Sequence, residues 1–147
     1  MSIKENKDLI HQAFEEWNAV NGDIAKMRSL YEKYYGADFI YHNMSGGDMS
    51  REKAMQENSA SIASFPDIKY SIDDIIAEGE KTAIRFTMQA THKGPFMGIP
   101  ATGKLVVVKG VEVDKIVDGK IVETWDFLDT LGMITQLGII PGTATKM

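Results

Sequence analysis

The chain has 147 residues, 44% of them hydrophobic, and a formal net charge of −5, which suits one domain over residues 1–147 built on a single core. No run approaches the ~20 apolar residues of a membrane span, the first ten residues lack a signal peptide's apolar stretch, and interspersed lysines and acids leave no basic footprint for nucleic acid. Zero cysteines exclude disulfides, thiolate nucleophiles and cysteine-held zinc. This composition predicts a cytoplasmic protein whose partners are small molecules or further copies of itself.

Helices come first. Leu9, Ile10, Ala13, Phe14, Trp17 and Val20 recur at three- and four-residue spacing, predicting an amphipathic helix over 7–20 that ends before Gly22. Asp23 can cap a second helix carrying Ile24, Met27, Leu30, Tyr31 and Tyr34, with Gly36 as its stop. A short strand, residues 38–43, follows, then a Gly46-Gly47 loop. Ser50 can cap a third helix running to Ser64, closed by Phe65-Pro66-Asp67.

The remainder reads as strands. Residues 68–72 and 82–92 flank a turn at Gly79-Glu80, residues 104–117 form a long β-branched run, and Asp118-Gly119 marks a two-residue hairpin into 120–128. A last helix over 130–137 has Asp129 as its cap. Helices placed before a sheet of successive hairpins predict an α+β fold with an antiparallel sheet covered by helices on one face. The tail, residues 142–147, reads as loose.

Strand parity sorts the side chains. Ile84, Phe86, Met88, Ala90 and His92 share an apolar row, so His92 is either a core histidine or a pocket residue. On the last strand Val122, Thr124, Asp126 and Leu128 share one face, and Ile121, Glu123, Trp125 and Phe127 the other. Both faces carry bulky apolar groups, so the face away from the helices is expected to join a second copy in a homodimer. His11, His42 and His92 lack the spacing of a helical metal pair, and no metal site is expected. Nine methionines, Met44, Met49, Met88 and Met97 among them, suit an adaptable core or pocket.

One stretch resists an ordinary reading. Between Thr91 and Lys104 lie three glycines, two prolines and the pair Phe96-Met97, far more than a hairpin needs. Together with "VDGKIVETWD" and the ending Gln136-Leu137-Gly138, this run resembles the SnoaL-like polyketide cyclase and ester cyclase family, within the nuclear transport factor 2-like superfamily. The match is dense from Ile84 to Gly138 and rests earlier on the order of elements.

The resemblance implies a cone: a curved antiparallel sheet wrapped by N-terminal helices around an apolar cavity, with Phe96 and Met97 shaping its entrance. It also implies a cofactor-independent lyase or isomerase activity, in which an aspartate moves a carbon-bound proton during intramolecular aldol closure of a polyketide ester. A related isomerisation or hydration of a hydrophobic carbonyl compound belongs to the same reading, and a non-catalytic ligand-binding or dimerisation module is the alternative. Burial suits such chemistry, because it raises a carboxylate's basicity toward a useful range.

Asp126 matches the family's catalytic aspartate by its place ten residues before Gln136; without the resemblance it reads as an exposed strand-end acid. His92 is the second catalytic candidate. His42 or Asn43 stands where the family puts a polar substrate contact, and parity does not choose between them. Glu112 replaces a histidine that assists the aspartate in the antibiotic cyclases, and an acid beside Asp126 would favour a shared proton. Trp17 and Asn58 resemble positions that touch substrate, against core packing for the first and a solvated helix face for the second.

Overall fold

The computed structural model describes residues 1–43 and 46–139, so Met44 and the tail 142–147 lie outside the described residues. Four helices and six strands follow the chain as α1 (Ile3–Asn18), α2 (Ile24–Tyr34), β1 (Tyr35–Asn43), β2 (Gly47–Ser50), α3 (Arg51–Ser64), β3 (Lys69–Glu78), β4 (Lys81–Thr91), β5 (Leu105–Val117), β6 (Lys120–Leu128) and α4 (Thr130–Gln136). One six-stranded sheet runs in the order β2-β1-β6-β5-β4-β3.

Helix caps decide most boundaries. Asp23, Ser50 and Asp129 each accept a backbone N–H of the first turn, as their positions predict. Helix α1 begins four residues earlier than the apolar periodicity, because Ser2 and Glu5 form a reciprocal capping box. At the other end of α2, Tyr35 leaves helical geometry and opens β1 directly, so Gly36 lies inside a strand and stops nothing. The Gly46-Gly47 stretch, expected as loop, leads into β2, a four-residue edge strand antiparallel to β1.

The α+β cone stands, with one correction to the sheet. β3, β4, β5 and β6 pair antiparallel in sequence order, but β1 lies parallel to β6. Tight hairpins impose antiparallel pairing only between consecutive strands. β1 and β6 are separated by β2, α3 and the strands β3 to β5, so no single turn joins them or dictates their relative direction. The Asp118-Gly119 turn itself has both φ values in the left-handed region, 50° and 76°, as a two-residue hairpin requires.

Helices α1 and α3 pack on the inner face, α1 against β3 and α3 against β1. The inner row of β4 is buried from Thr82 through Ile84, Phe86, Met88 and Ala90 to His92, and β5 adds Val106, Val108 and Ile116. Three register shifts, in β1, β3 and between β5 and β6, bend the sheet around this core. The last of them corrects the parity of β6. Val122 is the extra residue, so Ile121, buried at 2% exposure, joins Thr124 on the inner face instead.

The long loop after His92 is stitched to the end of α3. Lys93 and Gly94 donate their N–H groups to the Ser64 carbonyl, and Ser64 Oγ donates to the Pro95 carbonyl at 2.6 Å. A Cβ on Gly94 would overlap the Ala63 carbonyl oxygen. Gly94→Ala is therefore expected to destabilise the fold by about 1–3 kcal/mol, the usual cost of overpacking, read as a lower denaturant midpoint at unchanged slope. An unchanged midpoint would show that the loop does not depend on this contact.

Helix α4 closes the far end. Residues 105–109 of β5 extend beyond the pairing with β6, leaving backbone groups to satisfy. The Gln136 side chain does this for Val107 in both directions, accepting from its N–H and donating to its carbonyl, each at 2.8 Å.

Candidate active site

Between the sheet and the helices lie two adjoining chambers of about 290 and 220 Å³, the scale of pockets that take compact organic ligands. Trp17, Tyr41, Asn58, Ser61, Tyr70 and Asp126 line both, so Asp126 stands where they meet. The walls are aromatic and aliphatic, with Phe14, Tyr31, Tyr35, Phe39 and Phe86 in the larger chamber.

Alternation along two neighbouring strands brings three acids together. Glu112 and Asp114 project from the same face of β5; their cross-strand partners on β6 are Asp126 and Thr124. Tyr41 on β1 donates to Asp126 Oδ2 at 2.9 Å, while Asp126 Oδ1 is buried with no hydrogen-bond partner among the described residues. Thr124 Oγ1 donates to Asp114 Oδ1 at 2.5 Å, and Asp114 Oδ2 is buried with no hydrogen-bond partner among the described residues.

Among the described residues no Lys, Arg or His lines the larger chamber. Desolvation therefore dominates. It pushes the Glu112 carboxyl well above the usual range, helped by repulsion from Asp114 and Asp126. Burial lifts Asp114 to about 6 against the pull of Glu112 and of the Thr124 hydroxyl, and lifts Asp126 against the Tyr41 hydroxyl. The phenols of Tyr31, Tyr35, Tyr41 and Tyr70 are raised by burial too, so they remain protonated hydrogen-bond donors. Tyr31 accepts from Asn58 Nδ2 and keeps its own hydrogen free to donate. The site thus offers a carboxylate with one unoccupied oxygen, a proton-bearing acid opposite it, and hydroxyl donors around an apolar space.

The residues named from the sequence separate clearly. Asp126, Glu112, Asn43, Trp17 and Asn58 line the larger chamber, and Phe96 lines the smaller one against Phe65. Between His42 and Asn43 the structure chooses: Asn43 faces the cavity and His42 the outer face, stacked on Trp125 with Nδ1 near Asp48 and Nε2 near Glu123, each at 2.9 Å. His92 is fully buried behind Phe65 and lines neither chamber. Its Nδ1 accepts the Thr102 N–H at 3.3 Å and meets Thr102 Oγ1 at 3.0 Å, and its backbone pairs with Gly103 and Lys104. His92 thereby closes the base of the long loop. Met97 is 64% exposed and lines neither chamber.

Asp114 and the tyrosine ring were not picked out from the sequence. Asp114 was legible in principle, two residues from Glu112 on one strand face. The tyrosines come from three separate elements and only the fold assembles them. Among the described residues no group of His, Asp and Glu has an arrangement that could hold a metal ion.

A helix-wrapped bent sheet holding an apolar, acid-bearing pocket defines a small-molecule cavity protein of the cone type. Residues 9–137 match the SnoaL-like polyketide cyclase family, and the chain belongs to it. Two relatives are the aklanonic acid methyl ester cyclases DauD of Streptomyces sp. strain C5 and DnrD of Streptomyces peucetius, 29% and 28% identical over 140 residues. Both alignments span 89% of this chain, with 80% of DauD and 89% of DnrD. Among solved structures, AclR of Streptomyces galilaeus, a candidate hydroxylase, superposes with a TM-score of 0.84 at 28% identity, covering 95% of this chain and 100% of AclR.

Proposed function

We propose that this protein is a cyclase that closes a ring in a hydrophobic, carbonyl-bearing ester by intramolecular aldol addition, with Asp126 as the base. The observation that carries this reading is the unoccupied Asp126 Oδ1 at the junction of the two chambers, fixed by Tyr41 on its other oxygen. Burial raises the basicity of that carboxylate, the direction that removal of a proton next to a carbonyl requires. The resulting enolate requires donors placed in advance, and the hydroxyls of Tyr31 and Tyr70 stand in the same chamber wall. The new carbon–carbon bond forms as the enolate carbon attacks the ketone, and the alkoxide takes up a proton.

Aklanonic acid methyl ester, the compound named for the two relatives, is the first substrate to try, alongside mass spectrometry of small molecules that copurify with the protein. Ring closure yields a product of unchanged mass, whereas a hydroxylation adds one oxygen, so one measurement separates the two chemistries. Compounds that bind and are returned unaltered would favour a ligand-binding module instead.

The outer sheet face supports pairing with a second copy. Val111 and Phe127 are register partners there, Phe127 is 52% exposed, and Leu105 and Val107 extend the apolar surface. Light scattering is expected to give a dimer for the native chain and a monomer for Phe127→Glu. A native monomer at micromolar concentration would reject this assembly.

A further inference from the structure

Glu112 and Asp114 stand two residues apart on one face of β5, both lining the larger chamber, and Asp114 Oδ2 is buried there with no hydrogen-bond partner among the described residues. Two carboxylate anions side by side in a chamber whose described lining holds no cation repel each other strongly. One of them must carry a hydrogen, and the surroundings say which. Asp114, only 1% exposed, already receives the Thr124 hydroxyl on Oδ1, which favours its anion, while its buried Oδ2 has no N–H or hydroxyl donor among the described residues. An acidic O–H is the remaining hydrogen that can serve it, and Glu112 is the acid in place. Glu112 also sits directly across the strand pair from Asp126.

We propose that Glu112 and Asp114 act as one acid pair holding a single proton: Glu112 carries it and delivers it to the substrate oxygen, and Asp114 is the positioning residue that keeps Glu112 protonated and correctly turned. Use of the proton rests on the ring closure proposed above. Asp126 takes a proton from carbon, and the electron pair left behind forms the carbon–carbon bond. The ketone oxygen becomes an alkoxide and takes the Glu112 proton. Asp126, now protonated, returns its proton to Glu112 across the strand pair, and the site is reset with no net gain or loss. The other groups facing the pair are the tyrosines Tyr31 of α2, Tyr35 and Tyr41 of β1 and Tyr70 of β3, together with Glu57 of α3 and Asp126 of β6. None of these is a cation that would drive Glu112 to ionise.

Carboxyl carbon-13 NMR titration of the full chain, labelled at aspartate and glutamate and free of ligand, tests the pair without any turnover. In the native protein the Glu112 signal should titrate at higher pH than the exposed glutamates and respond when Asp114 ionises. Asp114→Asn should lower the Glu112 midpoint by about one pH unit or more, since the neighbouring anion is gone. A midpoint unchanged within about 0.3 unit overturns the role of Asp114. Should that variant fail to fold, Thr124→Val keeps both carboxyls and must shift both signals. Movement of Asp114 alone would mean two independent acids. With turnover established, the alkaline limb of kcat/KM should move to lower pH in Asp114→Asn together with the Glu112 midpoint, which a merely structural role would not produce. Absence of native turnover would count against the ring closure, and with it the use of the proton, while the titration still decides the pair.

Discussion

Asp126→Asn should abolish most ring closure, lowering kcat by about 10²–10⁴-fold, the range attributed to a positioned acid or base. The amide matches the carboxylate in size and its carbonyl can still accept the Tyr41 hydroxyl hydrogen, so the pocket should keep its shape. What the substitution removes is the buried oxygen that can take a proton. Binding of the ester should change little, so kcat and kcat/KM should fall together with KM nearly constant. Burial raises Asp126, and only its ionised form is a base, so the native rate should decline as pH drops through that raised value. A variant retaining native turnover within a few-fold would remove Asp126 from the reaction, and a raised KM alone would make it a binding residue.

The second large effect concerns stability. Asp114 rises from 3.8 to about 6 on folding, chiefly through burial. A carboxyl whose value is raised in the folded state favours folding below its unfolded value and loses that contribution as pH rises through the folded value. Native Asp114 should therefore be neutral in its effect near pH 4 relative to its amide and increasingly costly up to pH 7. At 1.36 kcal/mol per unit, the full penalty amounts to about 3 kcal/mol. Asp114→Asn should thus match the native protein in unfolding free energy near pH 4 and exceed it by up to about 3 kcal/mol at pH 7, measured by urea titration across that range. Equal stability at both pH values would show that the buried acid costs nothing, and a less stable variant at pH 7 would show that the anion is needed to hold the strands. A gain at pH 7 would fit a functional site that gives up stability for its chemistry.

Local rules were sufficient for much of the molecule. Caps at Asp23, Ser50 and Asp129 set helix starts that the structure reproduces, and the Asp118-Gly119 turn joins β5 to β6 as its chemistry requires. The capping box at Ser2 and Glu5 is equally local, but it lies ahead of the apolar stripe that marks the helix. Parity placed the β4 row on one buried face and grouped Asp126 with Thr124, since alternation propagates along a strand without reference to its neighbours. It failed at Val122, where a bulge between paired strands adds a residue that no single-strand pattern reveals.

The sequence alone determined that this chain makes capped helices, hairpin-linked strands and an apolar row along β4, because each of those depends on residues within a few positions of one another. Its run from Thr91 to Gly138 was also enough to point to the family. Tertiary structure alone decided that β1 lies parallel to β6, that Asn43 rather than His42 meets the cavity, and that His92 lies outside both chambers at the base of a loop. It also decided that Asp114 joins Glu112 and Asp126 in the wall of the same chamber. Those outcomes depend on which distant segments come into contact and on how much water their contact excludes, and a carboxyl's proton affinity is set by that exclusion.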